Sequence, residues 1–181
     1  MGFLPKKRRI ATAALAHLPT TGSVLIDAGS TTLCLAEAFP SDRALLVFTN
    51  TLPIALALVS RPQLTVFTLG GRVRSRTLAE VDAAAIRTLS ELTVDVAFLG
   101  ANGISLEQGL TSPDPAEAGI KRLMLAHARR RILLADSSKF GRVSLCQYGG
   151  LPDIDLLITD TDLPIEHLAA LQTAGVTVEQ A

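Results

Sequence analysis

The feature that most constrains this chain is a rhythm. Seven short apolar runs, VLID (24–27), LLVFT (45–49), LTVFTL (64–69), VDVAFLG (94–100), RILLAD (131–136), DLLITD (155–160) and VTVE (176–179), alternate with Ala- and Leu-rich stretches. Several runs are continuously apolar rather than alternating, the mark of strands covered on both faces. The stretches between them read as helices at 31–39, 53–60, 79–91, 115–128 and 164–174, and a further helix over roughly 5–18 precedes the first strand. This alternation predicts βαβ units. The expected fold is α/β, a mostly parallel Rossmann-like sheet with helices on both faces and right-handed crossovers. No repeat, low-complexity tract or linker breaks the 181 residues, so a single domain, 1–181, is expected.

Helix 115–128 shows how the local chemistry supports this. Ala116, Ile120, Leu123, Met124 and His127 follow the spacing of one buried face. Pro115 suits the first turn, where its missing N–H costs nothing, and Asp114 is the expected N-cap. Pro164 starts the last helix in the same way, with Asp162 upstream, and Gly175 stops it.

Composition excludes several classes of function. With 48% apolar residues the chain has ample core and is not globally disordered. No apolar run approaches the ~18 residues that span a bilayer, and Met1 to Ile10 lacks the pattern of a signal peptide. A soluble, cytoplasmic protein is expected. Seventeen basic residues balance seventeen acidic ones, whereas a module that grips a nucleic-acid backbone carries a basic surplus. The basic clusters at 6–9 and 129–131 read as solvated segment ends. Six Phe, one Tyr and no Trp leave little to stack on bases. Cys34 and Cys146 form no metal-ligand pattern with each other or with His17, His127 and His167. They read as core residues, and no metal or cofactor is expected.

The informative observation is where the polar residues fall. Nearly every strand run exits into a small polar cluster: DAGSTT (27–32), TNT (49–51), LGGR (69–72), GANG (100–103), ADSSK (135–139) and TDTD (159–162). Any one could be a turn. In a parallel sheet, however, all carboxyl ends lie along one edge, and ligands bind outside that edge. In the first cluster Asp27 ends the strand and Gly29 lets a ligand approach the backbone. Ser30, Thr31 and Thr32 then place hydroxyls and free N–H groups at a helix start, where the dipole favours an anion. The bland alternative is a helix cap, but a cap needs one such residue and here there are three. The ending of a Walker A loop is missing, which argues against nucleotide hydrolysis.

Thr49, Asn50, Gly100, Asn102 and Gly103 join the candidate site by the same convergence. Gly70 and Gly71 either turn backbone N–H groups toward a ligand or form a turn with positive φ. Arg72, Arg74 and Arg76 could help neutralise an anion, though such a run is more often a solvated loop. Lys139 suits a phosphate as a point charge, with an ion pair to Asp136 as the alternative. Glu117 and Lys121 are spaced for a helix ion pair, the reading favoured by spacing alone, with a site role open.

The order DAGSTT, TNT, LGGR, DVAFLGANGI, GLTSPDPAEAGIKRLM, LLADSSKFG and LLITD resembles the sensor domain of DeoR-type bacterial transcription regulators, over about Lys7 to Val178. The resemblance implies binding of a phosphorylated sugar or related metabolite that changes DNA binding by an attached winged helix-turn-helix reader. That reader would precede this chain, and 6–18 resembles the helix that follows it. The family's Gly-Pro-like pair after LGGR is replaced here by Glu80-Val81-Asp82. The fold is also similar to ribose-5-phosphate isomerases, which place acidic residues after the strand matching 94–100 and follow with a Lys-Gly-Gly-Gly-like loop. This chain has Gly100-Ala101-Asn102-Gly103 and GLTSPDP (109–115) instead. An Asn amide cannot serve as a general base.

The expected function is therefore effector sensing without turnover. The phosphate would sit at Ser30, Thr31, Thr32 and Lys139, and the hydroxyls would meet Asn50, Asn102, Glu117 or Lys121. DNA would be contacted only through the attached reader, by a homodimer or homotetramer with no membrane partner. The alternative is a sugar-phosphate isomerase-like enzyme with an acid or base drawn from Asp27, Asp136 or Glu117.

Overall fold

The computed structural model describes residues 3–181. In chain order the elements are α1 (Phe3–Ala14), β1 (Gly22–Ile26), α2 (Ser30–Glu37), β2 (Leu45–Thr49), α3 (Leu52–Val59), β3 (Thr65–Thr68), β4 (Arg72–Val73), β5 (Glu80–Val81) and α4 (Asp82–Ser90). The second half adds β6 (Val94–Gly100), β7 (Gly103–Ser105), β8 (Gly109–Ser112), α5 (Pro115–Ala126), β9 (Ala128–Leu134), β10 (Cys146–Gly149), β11 (Leu156–Thr159), α6 (Ile165–Thr173) and β12 (Val178–Gln180). Each of the seven anticipated strands forms, and they make one sheet in the order β12-β11-β9-β6-β1-β2-β3. Every neighbouring pair in it is parallel. From β1 the chain winds outward through β2 to β3. It then crosses back to β6 on the other side of β1 and winds outward again. The order reverses between β1 and β6, and a crevice opens there beyond the carboxyl ends.

Strand parity divides the interior into two cores, because successive side chains point to opposite faces. Val24, Ile26, Val96, Phe98, Ile132 and Leu134 pack with Ile10, Leu35 and Leu58 of α1, α2 and α3. Leu25, Ala97, Leu99, Leu133 and Leu157 pack with Leu89, Ile120 and Met124 of α4 and α5. Both faces are covered, which explains the continuous apolar runs.

Several local expectations are corrected. Residues 79–81 do not belong to a helix: β5 pairs antiparallel with β4, Arg72 opposite Val81 and Val73 opposite Glu80, so α4 begins three residues late. A three-stranded antiparallel sheet, β10-β8-β7, not among the anticipated strands, stands beside the main one and takes up Gly109–Ser112 of the stretch GLTSPDP. The helix expected over 5–18 is α helix to Ala14 and a single 3-10 turn after it. Arg129, Arg130 and Arg131 lie within β9 rather than at a helix end, with Arg131 paired to Asp155 at 3.2 Å. In α5 the buried stripe is Ala118, Ile120, Lys121, Met124 and Leu125, so Ala116, Leu123 and His127 are only half-buried.

Two helix ends behave as their sequences require. The Asp114 side chain caps α5 by accepting from the Glu117 N–H at 2.8 Å. Helix α6 starts one residue after Pro164 and closes with a paired C-terminal motif. There Gly175 N–H donates to Gln172 O and Val176 N–H to Leu171 O, each at 3.0 Å. No helix of the described residues is long and apolar enough to cross a membrane.

Candidate functional site

The floor of the crevice is a buried ion pair at the switch point. Asp27, immediately after β1, is 1% exposed, and Lys121 of α5 is 5% exposed. The Lys121 ammonium donates to Asp27 Oδ2 and, at 3.0 Å, to Gly100 O at the end of β6. Asp27 Oδ2 also accepts from the Gly100 N–H at 3.2 Å, and the Tyr148 hydroxyl donates to Gly100 O at 3.3 Å. Burial favours the neutral amine of Lys121, but Asp27, Tyr148 and Glu117 outweigh it and hold its pKa above the ordinary value. Burial likewise pushes the Tyr148 phenol up to about 12. The floor is charge-compensated, and one of the three ammonium donors is not taken by Asp27 or Gly100.

Above this floor α2 presents its N-terminus. Gly29 is the N-cap at φ 156°, ψ 162°, a region open essentially to glycine alone, and no side chain caps the helix. Leu33 N–H makes the first intrahelical bond, to Gly29 O at 3.0 Å, so the N–H groups of Ser30, Thr31 and Thr32 precede the ladder. Sequence offered a cap as the bland alternative, and the structure has none: Thr32 Oγ1 donates back to Gly29 O at 3.1 Å, and Ser30 accepts from Lys7 Nζ at 2.9 Å. The far end of α2 is satisfied by Arg61, whose guanidinium donates to Phe39 O, to Glu37 O at 2.9 Å and to Ala36 O at 3.5 Å. The positive end of the dipole faces the crevice without a side-chain acceptor.

Two clefts meet over Gly29, Ser30, Asn102 and Lys121. The larger, of about 770 Å³, is walled by α3, the loop 74–79 between β4 and β5, and the start of α5. The smaller, of about 110 Å³, runs between Thr31 and Lys139. Four cations, Arg74, Arg76, Lys121 and Lys139, and two carboxylates, Asp114 and Glu117, line them together. Lys121 is neutralised by Asp27, and Arg74 by Glu117 and, at 3.5 Å, Asp114. Arg76 and Lys139 form no ion pair among the described residues, so the Asp136–Lys139 pair offered as the alternative is absent there; Asp136 instead accepts from Ser138 N–H at 2.9 Å. Burial pushes the Glu117 carboxyl up, against the pull of Arg74 and Lys121. Among the described residues no cluster of His, Cys, Asp and Glu is placed to hold a metal ion.

Of the residues singled out from sequence, Gly29, Ser30, Thr31, Gly100, Asn102, Glu117, Lys121 and Lys139 line these clefts, and Asp27 lies beneath them. The rest are turned to structural work. Thr49 Oγ1 donates to Ile26 O at 2.7 Å. Asn50 is buried, accepting from Ala28 N–H at 3.1 Å and donating to Glu80 O at 3.5 Å, so it braces the turn that carries Gly29. Gly70 and Gly71 form a turn at φ 83° and 103°, and a Cβ on Gly71 would meet Val81 O at 2.4 Å. A Cβ on Gly103 would meet Arg142 O at 2.4 Å. Thr32 keeps its N–H toward the helix start while its hydroxyl is spent on Gly29.

The helix pair expected between Glu117 and Lys121 does not form, because each has a tertiary partner. Sequence reasoning passed over Arg74 and Arg76 as solvated loop and did not name Thr77, Pro113 or Asp114 as lining. The signal was the Gly-Gly turn, which folds the basic loop back over the sheet edge. In place of the Gly-Pro-like pair, Glu80 accepts from Leu69 N–H at 3.1 Å and Asp82 pairs with Arg72 at 2.6 Å.

Several known proteins are similar to this chain over most of its length. The HTH-type transcriptional regulator GlpR of Haloferax volcanii is 39% identical over 175 residues, covering 97% of this chain and 68% of that protein. The glycerol-3-phosphate regulon repressor of Escherichia coli K12 is 28% identical, with 96% of this chain and 69% of that protein covered. The chain thus spans about two thirds of the length of these relatives. Among solved structures, the probable sor operon regulator of Shigella flexneri superposes with a TM-score of 0.61 at 12% identity, over 92% of this chain and 87% of that one. Ribose 5-phosphate isomerase A of Neisseria gonorrhoeae gives 0.54 at 18% identity, over 76% of this chain and 53% of that one. At such identities the structures speak for the fold alone. The family described as the DeoR C-terminal sensor domain matches residues 4–161. With that match over most of its length, the chain belongs to the DeoR-type sensor domains, a family of transcription regulators rather than of enzymes.

Proposed function

We propose that the crevice at the switch point binds the phosphate group of a small phosphorylated sugar or related metabolite, and that its occupancy alters DNA binding by a reader domain attached to this one in the whole regulator. The observation that carries this reading is the pairing of an uncapped helix start with cations that form no ion pair among the described residues. The N–H groups at the start of α2 lie where two clefts meet, Arg76 on the wall of the larger and Lys139 on that of the smaller, while Asp27, Asp114 and Glu117 are already engaged. A phosphate dianion there meets backbone donors, a favourable dipole and, in the smaller cleft, the Lys139 ammonium, with Arg76 adding positive charge from the larger. Gly29 has no Cβ to hinder it. Asn102 and Thr77 offer hydrogen bonds to hydroxyls, and Glu117, held by Arg74, offers acceptors. Directly after β6 come Ala101, Asn102 and Gly103, none of them a carboxylate, and an Asn amide cannot serve as a general base.

The effector acts by its differential affinity for two arrangements of the regulator. Two-fold symmetric assembly follows from the symmetry of DNA half-sites. The test is unfolding of the purified domain with inorganic phosphate, glycerol 3-phosphate and a panel of pentose and hexose phosphates. A ligand at a hundredfold excess over Kd stabilises by about 2.7 kcal/mol, a rise of about 5–11 °C for a domain of this size. Lys139→Ala should weaken that ligand about tenfold or more without lowering the midpoint of the free protein. A panel in which unphosphorylated sugars stabilise as well as phosphorylated ones, or in which nothing does, refutes the reading.

A further inference from the structure

Lys7 lies outside the clefts and was read from sequence as part of a solvated helix end. The structure gives it a specific contact. Its ammonium donates to Ser30 Oγ at 2.9 Å, and Ser30 opens α2 and lines both clefts. A hydroxyl that accepts from an ammonium keeps its own proton free to donate elsewhere, and Ser30 lines both clefts. Lys7 thus sets the orientation in which Ser30 can donate, and it adds a positive charge just behind the seat. Its neighbour Lys6 pairs with Asp162 at 2.7 Å on the loop after β11. The first turns of α1 are therefore moored to two separate places at the carboxyl edge of the sheet, the start of α2 and the loop after β11. The remainder of α1 packs Ile10, Ala11 and Ala14 into the same core as α2.

We propose that Lys7 is a positioning residue of the anion seat, and that the Lys7–Ser30 contact couples occupancy of the crevice to α1. This rests on the site reading above and adds its route outward. An anion at the start of α2 attracts the ammonium and tightens the contact. Helix α1 is then held more firmly against α2 when the crevice is filled than when it is empty. The ligand gains from the same contact by reciprocity. Lys6, whose partner lies on the loop after β11, takes no part in it.

The experiment compares wild type with Lys7→Met, Lys7→Arg and Lys6→Met, using inorganic phosphate and glycerol 3-phosphate as probes. Calorimetry should show a five- to tenfold weaker affinity in Lys7→Met, wild-type affinity in Lys6→Met and at least partial recovery in Lys7→Arg. Hydrogen exchange reads the coupling directly. In wild type, saturating probe should slow amide exchange in both α1 and α2. In Lys7→Met at saturation, protection should appear in α2 and be lost from α1. Wild-type affinity in Lys7→Met, or undiminished protection of α1 there, overturns the proposal while leaving the crevice a phosphate site. Absence of binding by wild type refutes the site reading itself, and this link with it. An unchanged unfolding midpoint in Lys7→Met separates a lost contact from a damaged fold.

Discussion

Replacing Lys121 by Met is the sharpest test of the floor. The substitution keeps a long apolar stem in the buried stripe of α5 and deletes only the ammonium. Asp27, 1% exposed, then retains the Gly100 N–H at 3.2 Å and nothing of opposite charge. Breaking a buried pair from one side costs about 3–5 kcal/mol, because the surviving charge has neither water nor a partner. A domain's whole stability is about 5–15 kcal/mol, so the loss is a large share of it. For a chain of this size it lowers the melting temperature by about 6–20 °C. Asp27→Asn alone strands the ammonium and should cost a similar amount. The double variant removes both charges and should recover most of the loss, since a neutral replacement of a buried pair is often tolerated. Urea unfolding followed by circular dichroism, read as a double-mutant cycle, measures the coupling. A loss below about 1 kcal/mol in Lys121→Met, well under the expected range, would refute the reasoning. So would a double variant whose loss equals the sum of the singles.

Other outcomes follow from smaller features. Burial works against ionisation of Asp160, but the N–H groups of Ser137 and Asp162, the Ser137 hydroxyl and Lys6 outweigh it and keep its pKa below the ordinary 3.8. Asp155 is held below 3.8 in the same sense by Arg131. Both contribute stability that is present above that value and lost as pH falls through the lower folded values. Acid unfolding should therefore steepen below pH 3.8, and Asp160→Asn should flatten that limb in a pH titration of the unfolding midpoint. Arg61→Ala uncaps α2 and should cost about 1–2 kcal/mol in chemical denaturation. Gly71→Ala places a methyl where Val81 O lies 2.4 Å away, at φ 103°; a loss of about 1–3 kcal/mol is expected, and an unchanged midpoint would mean the turn is not tight. Incubation with ribose 5-phosphate should yield no ketose, and turnover abolished by Glu117→Gln would restore the enzyme alternative.

What could be read from sequence depended on how far each signal reached along the chain. The strands of the main sheet were legible because covering both faces leaves long apolar runs such as VDVAFLG. The strands β7 and β8 were not, because GIS and GLTS are short and mostly hydroxyl or glycine, the composition of a turn. Asn50 and Asn102 follow strands in similar clusters and looked equivalent. Only the path of the chain after β2 shows that Asn50 is drawn inward to brace Ala28 and Glu80, whereas Asn102 stays open. Spacing along α5 suggested that Glu117 would meet Lys121. The arginine that claims Glu117 lies 43 residues earlier, on a loop whose placement is decided by a turn and a hairpin of two-residue strands. Propensity and periodicity describe neighbours along the helix, and here partners from other elements won.

The compensated pair beneath the crevice has a consequence for how such a domain can change. Because the deep charges cancel each other, fold integrity and the proposed anion preference fall to different residues: Asp27 and Lys121 hold the floor together, while on the reading proposed above Arg76 and Lys139 at the rim attract the anion. Rim side chains can be exchanged one at a time with little thermodynamic penalty. A lineage built on this plan is free to drift toward new chemical signals without passing through an unstable ancestor.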